Sequence, residues 1–214
     1  MGSNPENLGL VEEWPTEFSP FFFGSDSVDK QLPDGFEWTE DIKDKGQRDG
    51  FCFAADNLIR DLLLEVELKK QDPKREFYGV LFAALFCYRH YLEVTLKHLI
   101  SIYAPHSADV SQAETDGVKT THNLMKLWNH VKSMMIEVKG QGYDRSAREV
   151  AESMINAFNQ VDSSSQVFRY SRDKTGNRTR GSVPNTDLVK LMEGMRSLRM
   201  YFDVQDDVLD ALQP

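Results

Sequence analysis

Between Phe77 and Ile100 the chain runs for twenty-four residues as FYGVLFAALFCYRHYLEVTLKHLI. The first half of this stretch, Phe77 to Tyr88, carries no charged residue. A helix apolar nearly all round belongs inside a protein or a bilayer. Twelve such residues fall short of the roughly 20 that span a membrane, and both flanks are charged (QDPKRE before, RHYLE after). The pattern therefore predicts a buried central helix from about Lys74 to Tyr103, ended by Pro105. In its second half Arg89, Glu93 and Lys97 recur every fourth residue. They stack along one line, with Glu93 able to pair in both directions. Facing solvent, that line is a salt-bridged stripe of about 0.3–0.5 kcal/mol per pair. Facing other helices, it must find partners there or cost several kcal/mol.

The remaining elements read as helices around this one. A helical pattern covers about Phe53 to Lys70 and stops at Asp72-Pro73. Polar residues 104–120 read as a loop. Leu124, Leu127, Trp128, Val131 and Met135 keep helical spacing from about Thr121 to Val138, where Gly140 and Gly142 break the pattern. Asp144 or Ser146 caps a helix carrying Val150, Ile155, Phe158 and Val161. The last helix begins near Asn185 or Thr186 and presents Leu188, Leu191, Met195, Leu198 and Phe202. Strand signals are weak. Val167–Tyr170 is at most a short extended piece. The expectation is an all-α, up-and-down helical bundle of about five helices.

Residues 1–45 differ in kind. They hold four prolines, 11 acidic and 3 basic residues, the run Phe21–Phe23, Phe36 and Trp38. This reads as an irregular acidic arm whose aromatics pack on the body or on a second chain, and residues 46–214 form the bundle. The net charge of -9 is concentrated in that arm and in the acidic last dozen residues. Residues 46–202 carry a small basic excess, so a local anion site is compatible with an acidic whole. Cys52 and Cys87 form no disulfide or metal-ligand pattern. With no secretory leader pattern, a cytoplasmic protein is the expectation.

Two segments carry candidate chemistry. His122 opens a helix in THNLMKLW, where an imidazole can anchor a carboxylate or move a proton. The run FRYSRDKTGNRTR, Phe168 to Arg180, has five basic residues against one acid, with two aromatics interleaved. Such a composition suits phosphate or single-stranded RNA, and equally a solvated loop whose Arg169 turns inward to a carboxylate such as Glu93. The sequence has no phosphate-cradling Gly-rich loop, dinucleotide fingerprint, His-Glu-x-x-His or Gly-x-Ser-x-Gly, and no metal or cofactor is expected.

Taken together, YRHYLEVTLKHLI, the polar loop, THNLMKLW and FRYSRDKTG resemble bacterial helical proteins of the HEPN type, over roughly residues 75–210. The resemblance implies a helical bundle, commonly homodimeric, in toxin–antitoxin, phage-defence or other stress systems. Many members are metal-independent RNases, and others bind nucleotidyltransferase partners without catalysis. Catalytic members carry an Arg, four to six intervening residues and a His. No Arg of this chain has a His at that spacing.

The leading expectation is thus a HEPN-like homodimer binding a nucleotide, an RNA or a partner protein, with no membrane contact. Its binding residues are Arg89, Glu93, Lys97, Asn123, Tyr170, Arg172 and Asp173. One alternative is a metal-independent endoribonuclease with His122 as general base and Arg169 stabilising charge on phosphorus. The other is a non-catalytic interaction module whose aromatic arm docks on another chain.

Overall fold

The computed structural model describes residues 40–67, 75–108, 111–170, 172, 175–176 and 185–210. Residues 1–39 of the acidic arm, and with them Phe21–Phe23, Phe36 and Trp38, lie outside the described residues, and residues 40–45 belong to the first helix. Among the described residues six α-helices pack on one another: α1 (Glu40–Glu67), α2 (Arg75–Tyr103), α3 (Gln112–Lys119), α4 (Leu124–Lys139), α5 (Arg145–Val161) and α6 (Leu188–Asp210). No strand occurs among them, and Val167–Arg169 forms a turn rather than an extended piece. The protein is an all-α bundle, and no described helix is long and apolar enough to cross a membrane.

The apolar run identified in the sequence is the axis of this bundle. Helix α2 packs against α1, α3, α4 and α6. Tyr88, Leu92, Leu96, Leu99, Ile100 and Tyr103 are completely buried on it. They meet Ile59 and Leu62 of α1, Trp128 and Val131 of α4, and Leu198 and Phe202 of α6 in one continuous core. Each such side chain contributes about 1.5–3 kcal/mol relative to remaining in water.

Three boundaries differ from the sequence expectation. Helix α1 begins at Glu40, about thirteen residues earlier than its apolar pattern. The added turns, EDIKDKGQRDG, show no apolar stripe. They are tied down at Arg48, whose Nη2 donates to Asp206 of α6 at 3.2 Å. The region read as a loop, 104–120, contains a 3-10 turn (Ala104–His106) and the whole of α3. Ser111 and Glu114 form a reciprocal capping box at its start. Two backbone donors are satisfied there without help from the core. Asp144 precedes α5 but does not cap it, standing instead in the left-handed region at φ 47. Its carboxylate accepts from Arg148 at 2.8 Å and from Tyr201 at 2.9 Å.

Asp144 also belongs to a polar cluster around Lys139. The Lys139 ammonium donates to Gln205 at 2.7 Å. It also lies 5.2 and 5.1 Å from the ring centres of Tyr103 and Tyr143. Burial pulls this amine from 10.5 down to about 8, partly opposed by Asp144. Below pH 8 the amine is charged in both folded and unfolded chains, and the folded chain bears the full desolvation cost. Between pH 8 and 10.5 only the unfolded chain stays protonated, so stability rises with pH across that window. Lys139→Met removes this rise. Urea denaturation of both proteins at pH 7.5 and pH 10 is expected to show the gain in the wild type alone.

Candidate functional site

The charged line on α2 faces inward. Arg89 is fully buried, Glu93 is 3% exposed, and only the Lys97 end reaches solvent. A solvated stripe is excluded by this burial. Each charge is instead satisfied within α2 or by residues at the start of α4 and the end of α5.

Arg89 is the brace. Its Nη1 donates to Glu93 Oε2 at 2.9 Å, its Nη2 to the backbone carbonyl of His122 at 2.5 Å, and its Nε to the carbonyl of Asp162 at 3.0 Å. The Asp162 carboxylate lies 3.4 Å from the same Nε and is 1% exposed. That separation is an ion-pair contact and not a hydrogen bond, since Oδ2 has no hydrogen-bonding partner. Oδ1 accepts from the Gln166 backbone N–H at 2.9 Å. Asp162 ends α5, where unpaired carbonyls place partial negative charge. His122 immediately precedes the cap of α4. One guanidinium, with its fixed fork of donors, therefore ties the middle of α2 to the end of α5 and the beginning of α4.

Glu93 is the node that Arg89 holds in place. While Oε2 receives Arg89, Oε1 receives both Lys97 Nζ and His122 Nδ1, each at 2.8 Å. Desolvation is the largest single influence on this carboxyl and pushes its pKa up. The hydrogen bonds from Lys97, His122 and Arg89 together outweigh it and hold the group near 2 instead of 4.5. Glu93 is thus ionised at neutral pH and can only accept hydrogen bonds. It follows that Nδ1 of His122 carries the proton in this contact. A neutral His122 then has its lone pair on Nε2. The His122 side chain is 55% exposed, against 27% for Lys97. The face offered to solvent is an imidazole and an ammonium, oriented by one buried carboxylate.

The other candidate residues occupy different places. Asn123 caps α4, its side-chain oxygen accepting from the Lys126 N–H at 2.9 Å. The Arg169 guanidinium lies over the Phe86 ring at 4.9 Å. Among the described residues no hydrogen bond or ion pair joins it to Glu93, Arg89 or His122. The carboxylate-seeking role considered for Arg169 is filled by Arg89, with Asp162 as its second acid. Phe86 also stacks on His90, at 5.6 Å between ring centres and 14° between planes. Burial lowers the pKa of His90. Tyr170 is exposed, and Arg172 donates to the Gly176 carbonyl at 2.8 Å. Asp173, Lys174, Arg178 and Arg180 lie outside the described residues.

Asp162 and Phe86 are the participants that sequence reading did not single out. Asp162 sits 73 residues from Arg89. The only signal pointing to it was the need of a buried guanidinium for more acceptors than one i, i+4 carboxylate supplies.

The fold and site define an all-α bundle with a buried Arg–Glu–Asp network whose outer edge is Lys97 and His122. No protein-family model matches the chain, and no curated protein or solved structure is significantly similar to it. Among the described residues no three of His, Cys, Asp and Glu are grouped to hold a metal ion. The two thiols are free, and burial pushes that of Cys52 up to about 12, far from the reactive thiolate range.

Proposed function

We propose that this chain is a HEPN-like helical domain, a cytoplasmic homodimer of a bacterial defence or stress system, that binds RNA or a nucleotide through the Lys97–His122 face. The observation that carries this reading is the shared Glu93 oxygen, which aims a cation and an imidazole at the same stretch of solvent. An ammonium attracts phosphate as a point charge. The imidazole adds a directed donor or acceptor, and in RNA the 2′-hydroxyl is a partner for it. In this reading Arg89 touches no ligand and acts by fixing Glu93. Arg169, Tyr170 and Arg172 are exposed and are of the cationic and aromatic kind on which unpaired bases stack.

A second reading, metal-independent RNA cleavage, is favoured by the Nδ1–Glu93 contact. A carboxylate on Nδ1 leaves Nε2 free to take a proton, the arrangement by which many enzymes orient a general base. In the reaction Nε2 accepts the 2′-hydroxyl proton, and the 2′-oxygen attacks phosphorus. The bond from phosphorus to the 5′-oxygen breaks, leaving a 2′,3′-cyclic phosphate, and the departing 5′-oxygen takes a proton from solvent to become a 5′-hydroxyl while the imidazolium returns its own to solvent. Lys97, rather than Arg169, stands beside the imidazole to offset the developing negative charge.

Both readings are tested by incubating the protein with total RNA and a nucleotide panel, comparing wild type with His122→Ala, Lys97→Ala and Arg169→Ala. His122→Ala is expected to weaken binding at least about tenfold while costing only about 1 kcal/mol of stability. The stability loss is small because the backbone carbonyl that holds Arg89 is retained. Cyclic-phosphate ends that vanish in His122→Ala establish the second reading. A wild-type protein that neither binds nor cleaves removes both.

A further inference from the structure

Beside the Lys97–His122 face lies an open groove of about 310 Å³ between α1, α2 and α3. Helix α1 contributes Asp44, Gln47 and Arg48, α2 contributes Lys97 and His98, and α3 ends in it with Lys119. The charges sort into two groups. Arg48 and His98 both turn to Asp206 of α6, at 3.2 and 3.3 Å, and Lys97 is held by Glu93. Lys119, Asp44 and Gln47 have no hydrogen-bond or ion-pair partner among the described residues.

Lys119 and Asp44 are opposite charges lining one groove, yet they are not bridged. A ligand that is anionic at one end and rich in hydroxyls at the other satisfies both walls. The connection to α4 adds a positional argument. Lys119 is followed by a tight turn, in which the Thr121 N–H donates to the Val118 carbonyl at 3.0 Å, and then by His122. Lys97 is thus common to the groove and to the Glu93 oxygen that holds the imidazole.

We infer that this groove seats a ribonucleotide bearing a phosphate monoester, with the phosphate between Lys97 and Lys119 and the sugar hydroxyls toward Asp44 and Gln47. The inference rests on the proposed nucleotide or RNA function and names the end group that the site takes. A phosphate is matched to two ammonium groups by charge, and a carboxylate and an amide are suited to accept from ribose hydroxyls. The groove is also of the size of small-ligand sites. The same chemistry is presented by a free nucleoside 5′-monophosphate and by the 5′-phosphorylated end of an RNA.

The test is a set of titrations of the full chain with 5′-AMP, 2′-deoxy-5′-AMP, 5′-UMP, adenosine, and one oligoribonucleotide carrying either a 5′-phosphate or a 5′-hydroxyl. The phosphorylated forms are expected to bind at least tenfold more tightly than their unphosphorylated counterparts. Tight binding of the mononucleotides identifies a free nucleotide as the source, and tight binding of the phosphorylated oligomer alone identifies an RNA end. Lys119→Glu is expected to abolish the phosphate preference, and Asp44→Asn to reduce discrimination between ribose and deoxyribose. Asp44 is exposed and Lys119 is partly so, so both variants are expected to fold. Wild-type affinity for the phosphorylated ligands in Lys119→Glu overturns the groove and leaves the Lys97–His122 reading intact. Lys119-dependent nucleotide binding without any RNA binding retains the groove and removes the RNA reading. Equal affinity of the wild type for phosphorylated and unphosphorylated forms overturns the inference.

Discussion

Arg89→Ala lowers the unfolding free energy by about 3–5 kcal/mol, the cost of leaving a buried carboxylate without its counter-charge. Arg89 is completely buried and makes hydrogen bonds to three separate elements. Its removal leaves Glu93 and Asp162 facing a vacated, low-dielectric space, together with two backbone carbonyls stripped of their donor. Arg89→Lys is expected to rescue little, since one ammonium cannot reproduce a fork that reaches α2, α4 and α5 together. By contrast, Lys97→Ala removes a partly exposed partner and should cost about 1 kcal/mol or less. Urea denaturation of the three variants checks the order. A loss for Arg89→Ala no larger than that for Lys97→Ala contradicts the role of Arg89 as the brace. A domain of ordinary stability, about 5–15 kcal/mol, survives the substitution in weakened form, so the comparison remains measurable.

The second large effect is loss of stability in acid. Glu93 is held near pKa 2 in the folded protein against 4.5 when free, so the unfolded chain binds the proton more readily. The resulting stabilisation is fully present above about pH 4.5 and disappears as the pH falls toward 2. A shift of that size corresponds to about 3 kcal/mol. In Glu93→Gln the side chain is neutral at every pH, so the variant lacks this contribution throughout. Stability curves of wild type and Glu93→Gln are therefore expected to be separated at pH 6 and to converge near pH 2. A gap that stays constant down to pH 2.5 shows that Glu93 is not ionised within the network.

How much of this could be read from sequence depended on whether the deciding interaction was local. The α2, α4, α5 and α6 helices carry apolar residues at helical spacing, and each was legible because its core face is written into its own residues. The first turns of α1 were not, because nothing in EDIKDKGQRDG marks a buried face and its anchor, Asp206, lies 158 residues away. Helix α3 had a local signal, the Ser111–Glu114 capping box, in a stretch too polar to suggest a helix by periodicity. At the site, the i, i+4 spacing placed Arg89, Glu93 and Lys97 on one line, while the carboxylate that His122 meets, Glu93, is fixed by the packing of α4 on α2. Asp162 and the ring of Phe86 were invisible because helix packing, and not sequence spacing, brings them to Arg89 and Arg169. The same packing places Arg169 on an aromatic ring, and not on Glu93 as the inward-turned alternative for its loop required.

The pairing of Glu93 with His122 makes every later step of this reading possible, and the nitrogen that carries the His122 proton reports it directly. At a pH where His122 is neutral, ¹⁵N chemical shifts of its ring are expected to show the proton on Nδ1 and a bare Nε2. In Glu93→Gln that preference is expected to be lost. A wild-type His122 carrying its proton on Nε2, or a tautomer unchanged by Glu93→Gln, contradicts the account of Glu93 as the group that orients the imidazole.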